Sequence, residues 1–314
     1  MLKHLKFAGI ILFFSVLFMG FGIHLNSNRV LRLAKGNYFF EQTRNSSIIS
    51  QIVISFPNNN TVSVVKKGDL WHIKEADDYF ASFLKINSLV SLIRSTIIFR
   101  ADTIKNNVLP FKKEECIKIS SIDNKGNIVD EAFIAPKMKE NKHHYALLNG
   151  EKFLYQISGN YNITSNAMDW VQMPILKITE KEIKEIKCDK FHLYRRYSED
   201  VFIDVNSEKV VDYVDSFINS LWYLSSDKIY HSVNFDMNNY KRVKDFQISL
   251  FNGIIYNISF YEKNEEYVVN INLDNDFLMS NEGINWLKEN SILYDGWYFK
   301  IPKERGKVLV NYSI

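Results

Sequence analysis

A serine three residues ahead of a lysine, Ser225 and Lys228 in "SSDK", is the nearest this chain comes to a nucleophile beside a base. In S-x-x-K acyl-transfer enzymes the lysine belongs to a set that also contains K-T-G and S-D-N. Neither occurs here, nor does G-x-S-x-G, and a helix end rich in Ser, Asp and Lys accounts for the pair. Metal binding would need imidazole, thiolate or carboxylate groups that converge. The histidines are scattered at 4, 24, 72, 143, 144, 192 and 231. His143 and His144 are adjacent, and in a strand adjacent side chains point to opposite faces. Asp212 and Asp215 stand at helical i, i+3 spacing, but a solvated polar face explains them without an acid/base pair. Cys116 and Cys188 lack C-x-x-C spacing and read either as two free thiols or as a disulfide of an oxidising compartment. No P-loop and no G-x-G-x-x-G is present. The expectation is no catalytic residues, no cofactor and no metal.

Binding chemistry is better represented. Lys184, Lys187, Lys190, Arg195 and Arg196 lie among Phe191 and Tyr194, as in a nucleic-acid surface, but Glu180, Glu182, Glu185 and Asp189 interrupt them. With 39 basic and 36 acidic side chains the net charge is only +3, too weak a field for nucleic acid. Of the 5 tryptophans, Trp71, Trp170 and Trp297 are the candidate partner-binding residues, two of them at matching places in a repeated pattern.

The elements that would position these residues follow from periodicity. An apolar fraction of 46% and a charged fraction of 24% describe a folded chain, and 23 Phe and 17 Tyr against 12 Gly and 5 Pro favour strands. After the basic start "MLKHLK", Phe7 to Ile23 carries no charge. As a helix it would reach roughly 25 to 28 Å, close to the hydrocarbon thickness of a bilayer. Residues 1–25 therefore read as a cytoplasmic tip and transmembrane anchor, with a cleaved signal peptide as the competing reading. Lysines and arginines on both flanks leave its orientation nearly tied. Residues 26–45 read as a linker.

Beyond it, "IISQIVISF" and "TVSVVKKGDLWHI" alternate around "PNNN" as a hairpin. The segment "EADDYFASFLKINSLVSLIRS" then places Tyr79, Phe80, Phe83, Ile86, Val90 and Ile93 on one helical face, with Asp77 and Asp78 in the first turn. A shift of 131 puts Val210, Val211, Val214, Phe217, Leu221 and Leu224 on those six positions and Phe202 on Trp71, with Ser207 as N-cap. Each half closes on a tryptophan-to-proline segment, "DWVQMP" and "GWYFKIP". The expected fold class is α+β: a transmembrane helix, then two tandem duplicated units at 46–178 and 179–314. Each would be a mainly antiparallel sheet with one long covering helix.

An N-terminal span, a hairpin ending "LWHI", an acidic helix start, a "DW....ILKI" crossover and a second copy ending "LYDGWYFKIP" together resemble the bacterial family of domain of unknown function 4340. The similarity covers nearly the whole chain after residue 45 and rests on apolar and tryptophan positions, not on a catalytic signature. It implies a single-pass inner-membrane protein with most of the chain in the periplasm. It also implies a non-enzymatic accessory role with the inner membrane and the membrane and auxiliary subunits of an ABC-type transporter as partners, and no nucleic acid. The alternative is an envelope-binding module that takes polysaccharide, peptidoglycan or lipid in a groove between the repeats.

Overall fold

The computed structural model describes residues 37–45, 49–102, 111–136 and 143–312, apart from positions 152, 160, 162, 177, 212, 213, 223, 277, 278 and 280. Alternation dictates most of it. β1 (Ile49–Ser55) and β2 (Thr61–Lys67) are the expected hairpin, with Ile52, Ile54, Val62 and Val64 turned inward. β3 (Leu70–Ile73) and β4 (Tyr79–Phe80) follow, then helix α2 (Phe83–Ile93), preceded in the chain by the short α1 (Glu41–Asn45). The remaining strands of the first half are β5 (Ile97–Asp102), β6 (Ile117–Asp123), β7 (Ile128–Ile134), β8 (His144–Leu148) and β9 (Phe153–Ile157).

The second half holds β10 (Ile183–Lys187), β11 (His192–Tyr194), β12 (Phe202–Asp204), β13 (Lys209–Val211), α3 (Asp215–Trp222) and β14 (Lys228–His231). Long strands β15 (Lys241–Leu250), β16 (Ile254–Lys263) and β17 (Glu266–Asn275) come next, then α4 (Asn281–Asn290), β18 (Trp297–Ile301) and α5 (Lys303–Asn311).

Two antiparallel nine-stranded sheets result, in the orders β4-β3-β2-β1-β6-β7-β8-β9-β5 and β13-β12-β11-β10-β15-β16-β17-β18-β14. Adding nine to every label of the first order gives the second. Two compact units divide the chain. Unit 1 takes in the described residues up to Lys66 together with Leu84–Ser165, and unit 2 takes in Lys67–Phe83 and Asn166–Ile314. The hairpin β3–β4, last in the first sheet's order, thus belongs with unit 2. In the core of unit 2, Ile186, Leu193 and Ile248 from β10, β11 and β15 join Phe260, Val269 and Phe299 from β16, β17 and β18.

The α+β expectation is corrected here. Antiparallel sheet dominates, and among the described residues no long helix covers either sheet: α2 has 11 residues and α3 has 8. The reason lies at two turns. Asp77 and Asp78 take left-handed backbone angles, φ 58 and 66, so the chain reverses before Tyr79 and Phe80, which pair with Ile73 and His72. Val210 and Val211 likewise pair with Ile203 and Phe202, and Ser207 is a turn residue whose hydroxyl donates to Asp204 (2.7 Å), not an N-cap. Helix starts only at Phe83 and Asp215.

Localisation needs a correction too. Among the described residues no helix is long and apolar enough to cross a membrane, which stands against the single-pass inner-membrane expectation. The segment that suggested it, residues 1–25, lies outside the described residues.

Candidate protein-binding surface

The short strands β11, β12 and β13 end the second sheet, and a buried arginine fixes them. Arg195, next after β11, donates from Nε to the carbonyl of Ile183 (2.8 Å) and from Nη2 to that of Glu180, and its guanidinium lies 4.5 Å from the Phe202 ring. Burial lowers its pKa, while Glu180, Glu199 and Asp200 oppose that shift. A cation this enclosed is held by carbonyl dipoles and an aromatic face. At the end of β12, the Asp204 carboxylate accepts from Ser207 Oγ and from the backbone N–H of Asn206 (3.4 Å), which closes the turn to β13. The Ser207 hydrogen bond chiefly holds the Asp204 carboxyl below its ordinary pKa.

Phe202 faces the core, so strand alternation turns Ile203 outward. Ile203 stands opposite Tyr194 on one side and Val210 on the other, and the three make a row across β11, β12 and β13. Ile203 is 43% exposed and Val210 54%, with Tyr194, Val201 and Val205 exposed around them. Glu185, paired with Tyr194 on β10 and hydrogen-bonded to His192, borders the row with charge. An apolar centre with a polar border is the composition of a protein-binding surface.

The edge is open as well. The Val205 N–H donates to the His192 carbonyl (2.8 Å), which fixes the alternation: Ile203 turns its backbone groups to β11, and Phe202 and Asp204 turn theirs to β13. Val210, opposite Ile203, therefore points its own N–H and C=O away from β12. Among the described residues β13 pairs with β12 alone.

The counterpart of this hairpin by strand order is β3–β4, which is covered within unit 2. His72 and Phe80, the pair in the place of Ile203 and Val210, are only 9% and 7% exposed. The ring of Tyr79 lies 5.0 Å from Trp297 and 5.7 Å from Phe299, and its hydroxyl donates to the Leu293 carbonyl (3.0 Å). At the turn, the Asp77 carboxylate accepts from the His231 N–H and from Asn234 Nδ2, both at 2.6 Å. The free edge of β4 is occupied too: Ser82 N–H donates to the Trp170 carbonyl (2.7 Å), Gln172 N–H donates to the Phe80 carbonyl (3.1 Å), and Ala81 stands opposite Val171.

The three tryptophans singled out from the sequence all gather at this covered hairpin. Trp71 is half-buried and its carbonyl accepts from Ala81 (2.8 Å), Trp170 is 1% exposed, and Trp297 is 6% exposed. Trp297 lies in the hairpin's bed, its ring against those of Tyr79 and Phe80. By strand order β18 corresponds to β9, so Trp297 and Trp170, which sits in a 3-10 turn after β9, do not hold equivalent places.

The other candidates do not converge. Ser226, beside Ser225, donates to the carbonyls of Lys228 (2.7 Å) and Lys300 (2.8 Å), while Ser225 and Lys228 face solvent. His144 is buried in β8, and no group of three potential metal ligands forms among the described residues. Cys116 and Cys188 are both free; burial, with Glu115 and Glu114 nearby, pushes the Cys116 thiol up to about 11. Asp212 lies outside the described residues. A cleft of about 480 Å³ lined by Lys181, Glu182, Arg196, Tyr197, Phe251 and Glu282 balances two cations against two carboxylates, so it carries no net charge to gather an ion.

Sequence reading passed over the Tyr194–Ile203–Val210 row. The signal was "VFIDV" at 201–205, where Val201, Ile203 and Val205 make one face wholly apolar while Phe202, the residue that faces the core, shares the other with Asp204. No family model, curated protein or solved structure matches the chain.

Proposed function

We propose that this chain works by binding another protein, without catalysis, and that the binding face is the outer side of β11, β12 and β13. One observation carries the reading: Ile203 and Val210 are exposed where their counterparts His72 and Phe80 are covered. Fully covering an aliphatic side chain contributes about 1.5–3 kcal/mol, so each half-exposed residue of this row has about 1 kcal/mol to offer. With Val201 and Val205 the exposed residues offer about 5 kcal/mol, only the low end of an association cost of about 4–15 kcal/mol, so a stable complex must also engage polar groups at the border or the edge. A subunit of an ABC-type transporter is the partner that the family resemblance implies.

The test is a comparison of the tagged full chain with an Ile203→Asp/Val210→Asp variant, with retained proteins identified by mass spectrometry. Because the two aspartates would stand directly opposite each other and repel, amide exchange in β12 and β13 is measured alongside, and the variant is compared only where it matches the parent's. The reading expects one or a few proteins retained by the parent and lost from the variant. Equal retention by both would remove this face as the binding surface.

A further inference from the structure

Resting on that reading, we infer that the open edge of β13 takes an extended polypeptide segment as an added antiparallel strand, and that the segment carries an aromatic residue followed by a β-branched one. The chain shows what such an edge receives. At β4, in the matching place, residues 170–172 lie along the edge through the Ser82-to-Trp170 and Gln172-to-Phe80 hydrogen bonds, with Trp170 and Val171 1% and 2% exposed. Val210 stands where Phe80 stands, and its carbonyl points outward as the carbonyl that receives Gln172 does. An added segment would donate one N–H to Val210 C=O and place its β-branched residue opposite Val211, as Val171 lies opposite Ala81. Main-chain bonds of this kind hold the strand; the aromatic residue falls on the side of the Tyr194–Ile203–Val210 row and is chosen by it, while the β-branched one, opposite Val211, falls on the side of Phe202. β13 is three residues long and begins with Lys209, two features that discourage indiscriminate pairing. Selection therefore rests on the apolar row.

The probe is a fluorescein-labelled peptide with the sequence of residues 166–174, Asn-Ala-Met-Asp-Trp-Val-Gln-Met-Pro, titrated with the full chain by anisotropy. Three arms accompany it. N-methylation of the peptide's glutamine removes the donor to Val210 but leaves the side chains in place. Val210→Pro removes the protein's outward N–H and alters the edge, at an edge position where proline is tolerated. Val210→Thr keeps the backbone.

The inference expects saturable binding, weakened about tenfold or more by N-methylation, the loss of one hydrogen bond. It expects binding to be lost with Val210→Pro and kept within about threefold with Val210→Thr, since strand propensities differ little between β-branched residues. Absence of binding, or equal binding of the N-methylated peptide, overturns the added strand. If in either case the Ile203→Asp/Val210→Asp variant still loses its partner, only the strand mode has failed. If that variant also keeps its partner, the binding face itself has failed.

Discussion

The hairpins β3–β4 and β12–β13 hold the same place in their two strand orders and differ in what surrounds them. In the first, Tyr79 and Phe80 lie among Trp297, Phe299 and Trp170, and Asp77 ties the turn to the backbone of His231. In the second, one face is packed, with Phe202 under Arg195, and the other presents Ile203 and Val210 to solvent. The turns share a detail: Asp77 and Glu208 take φ 58 and 57. A left-handed residue is thus common to both turns, though the first is one residue longer and carries a second, Asp78; the side chains on the outer face set the difference in cover. Aromatic residues with polar handles stand where the hairpin is covered, and aliphatic residues stand where it is open.

The largest expected effect is on the covered hairpin. Tyr79→Ala removes a ring packed on two others and a hydrogen bond to Leu293, and should cost about 3–5 kcal/mol in urea unfolding. Ile203→Ala should fall within about 0.5 kcal/mol, as surface changes do. Equal costs for the two would erase the contrast. Next is Arg195→Met, which leaves the carbonyls of Ile183 and Glu180 without their buried donor and should cost about 3 kcal/mol. Amide exchange should then quicken in β12 and β13 and remain unchanged in β3 and β4. Smaller again is Asp77→Ala, which strips the His231 N–H of its carboxylate partner, at about 1.5 kcal/mol.

The smallest effect is on pH dependence near the covered hairpin's bed. Lys300 of β18 donates to Glu266 (2.5 Å), and that bond, helped by Tyr240, holds the Glu266 carboxyl below its ordinary value of 4.5. A depressed carboxyl contributes stability that is fully present above its unfolded pKa and is lost as pH falls through the folded one. Because both side chains are about one-third exposed, the contribution should stay below about 1 kcal/mol. Lys300→Met should lower stability near pH 7 by that amount and cost nothing once Glu266 is protonated, so the profile flattens below about pH 4.5. A profile that Lys300→Met leaves as steep as the parent's below that pH would show that the pair carries nothing.

Local alternation was readable in the sequence: the hairpin around "PNNN" is β1 and β2, and Phe202 takes its place in β12 as Trp71 does in β3. Two-residue strands were not. Tyr79–Phe80 is too short to show a period of two, and with Phe83 and Ile86 it mimics a helical face. Asp77 and Asp78, apt for a helix's first turn, instead take the left-handed conformation that aspartate tolerates. The tryptophans proposed as partner-binding stand in or beside the covered hairpin, with Trp170 and Trp297 buried, whereas the open face is built from Val and Ile. By residue type the Val201–Ile203–Val205 side of "VFIDV" is the more apolar, yet the sheet buries the side of Phe202; the row that Ile203 forms with Tyr194 and Val210 needs the register of β12 against β11 and β13.

The most direct test of the open hairpin is a photoreactive side chain placed at position 203 of the full chain, with a second at position 128, an exposed isoleucine of β7, as comparison. The account predicts a cross-linked product of defined mass at 203, suppressed when Val210 is changed to Asp, and none at 128. Cross-linking of equal yield at both positions, or a product at 203 indifferent to Val210→Asp, would contradict it.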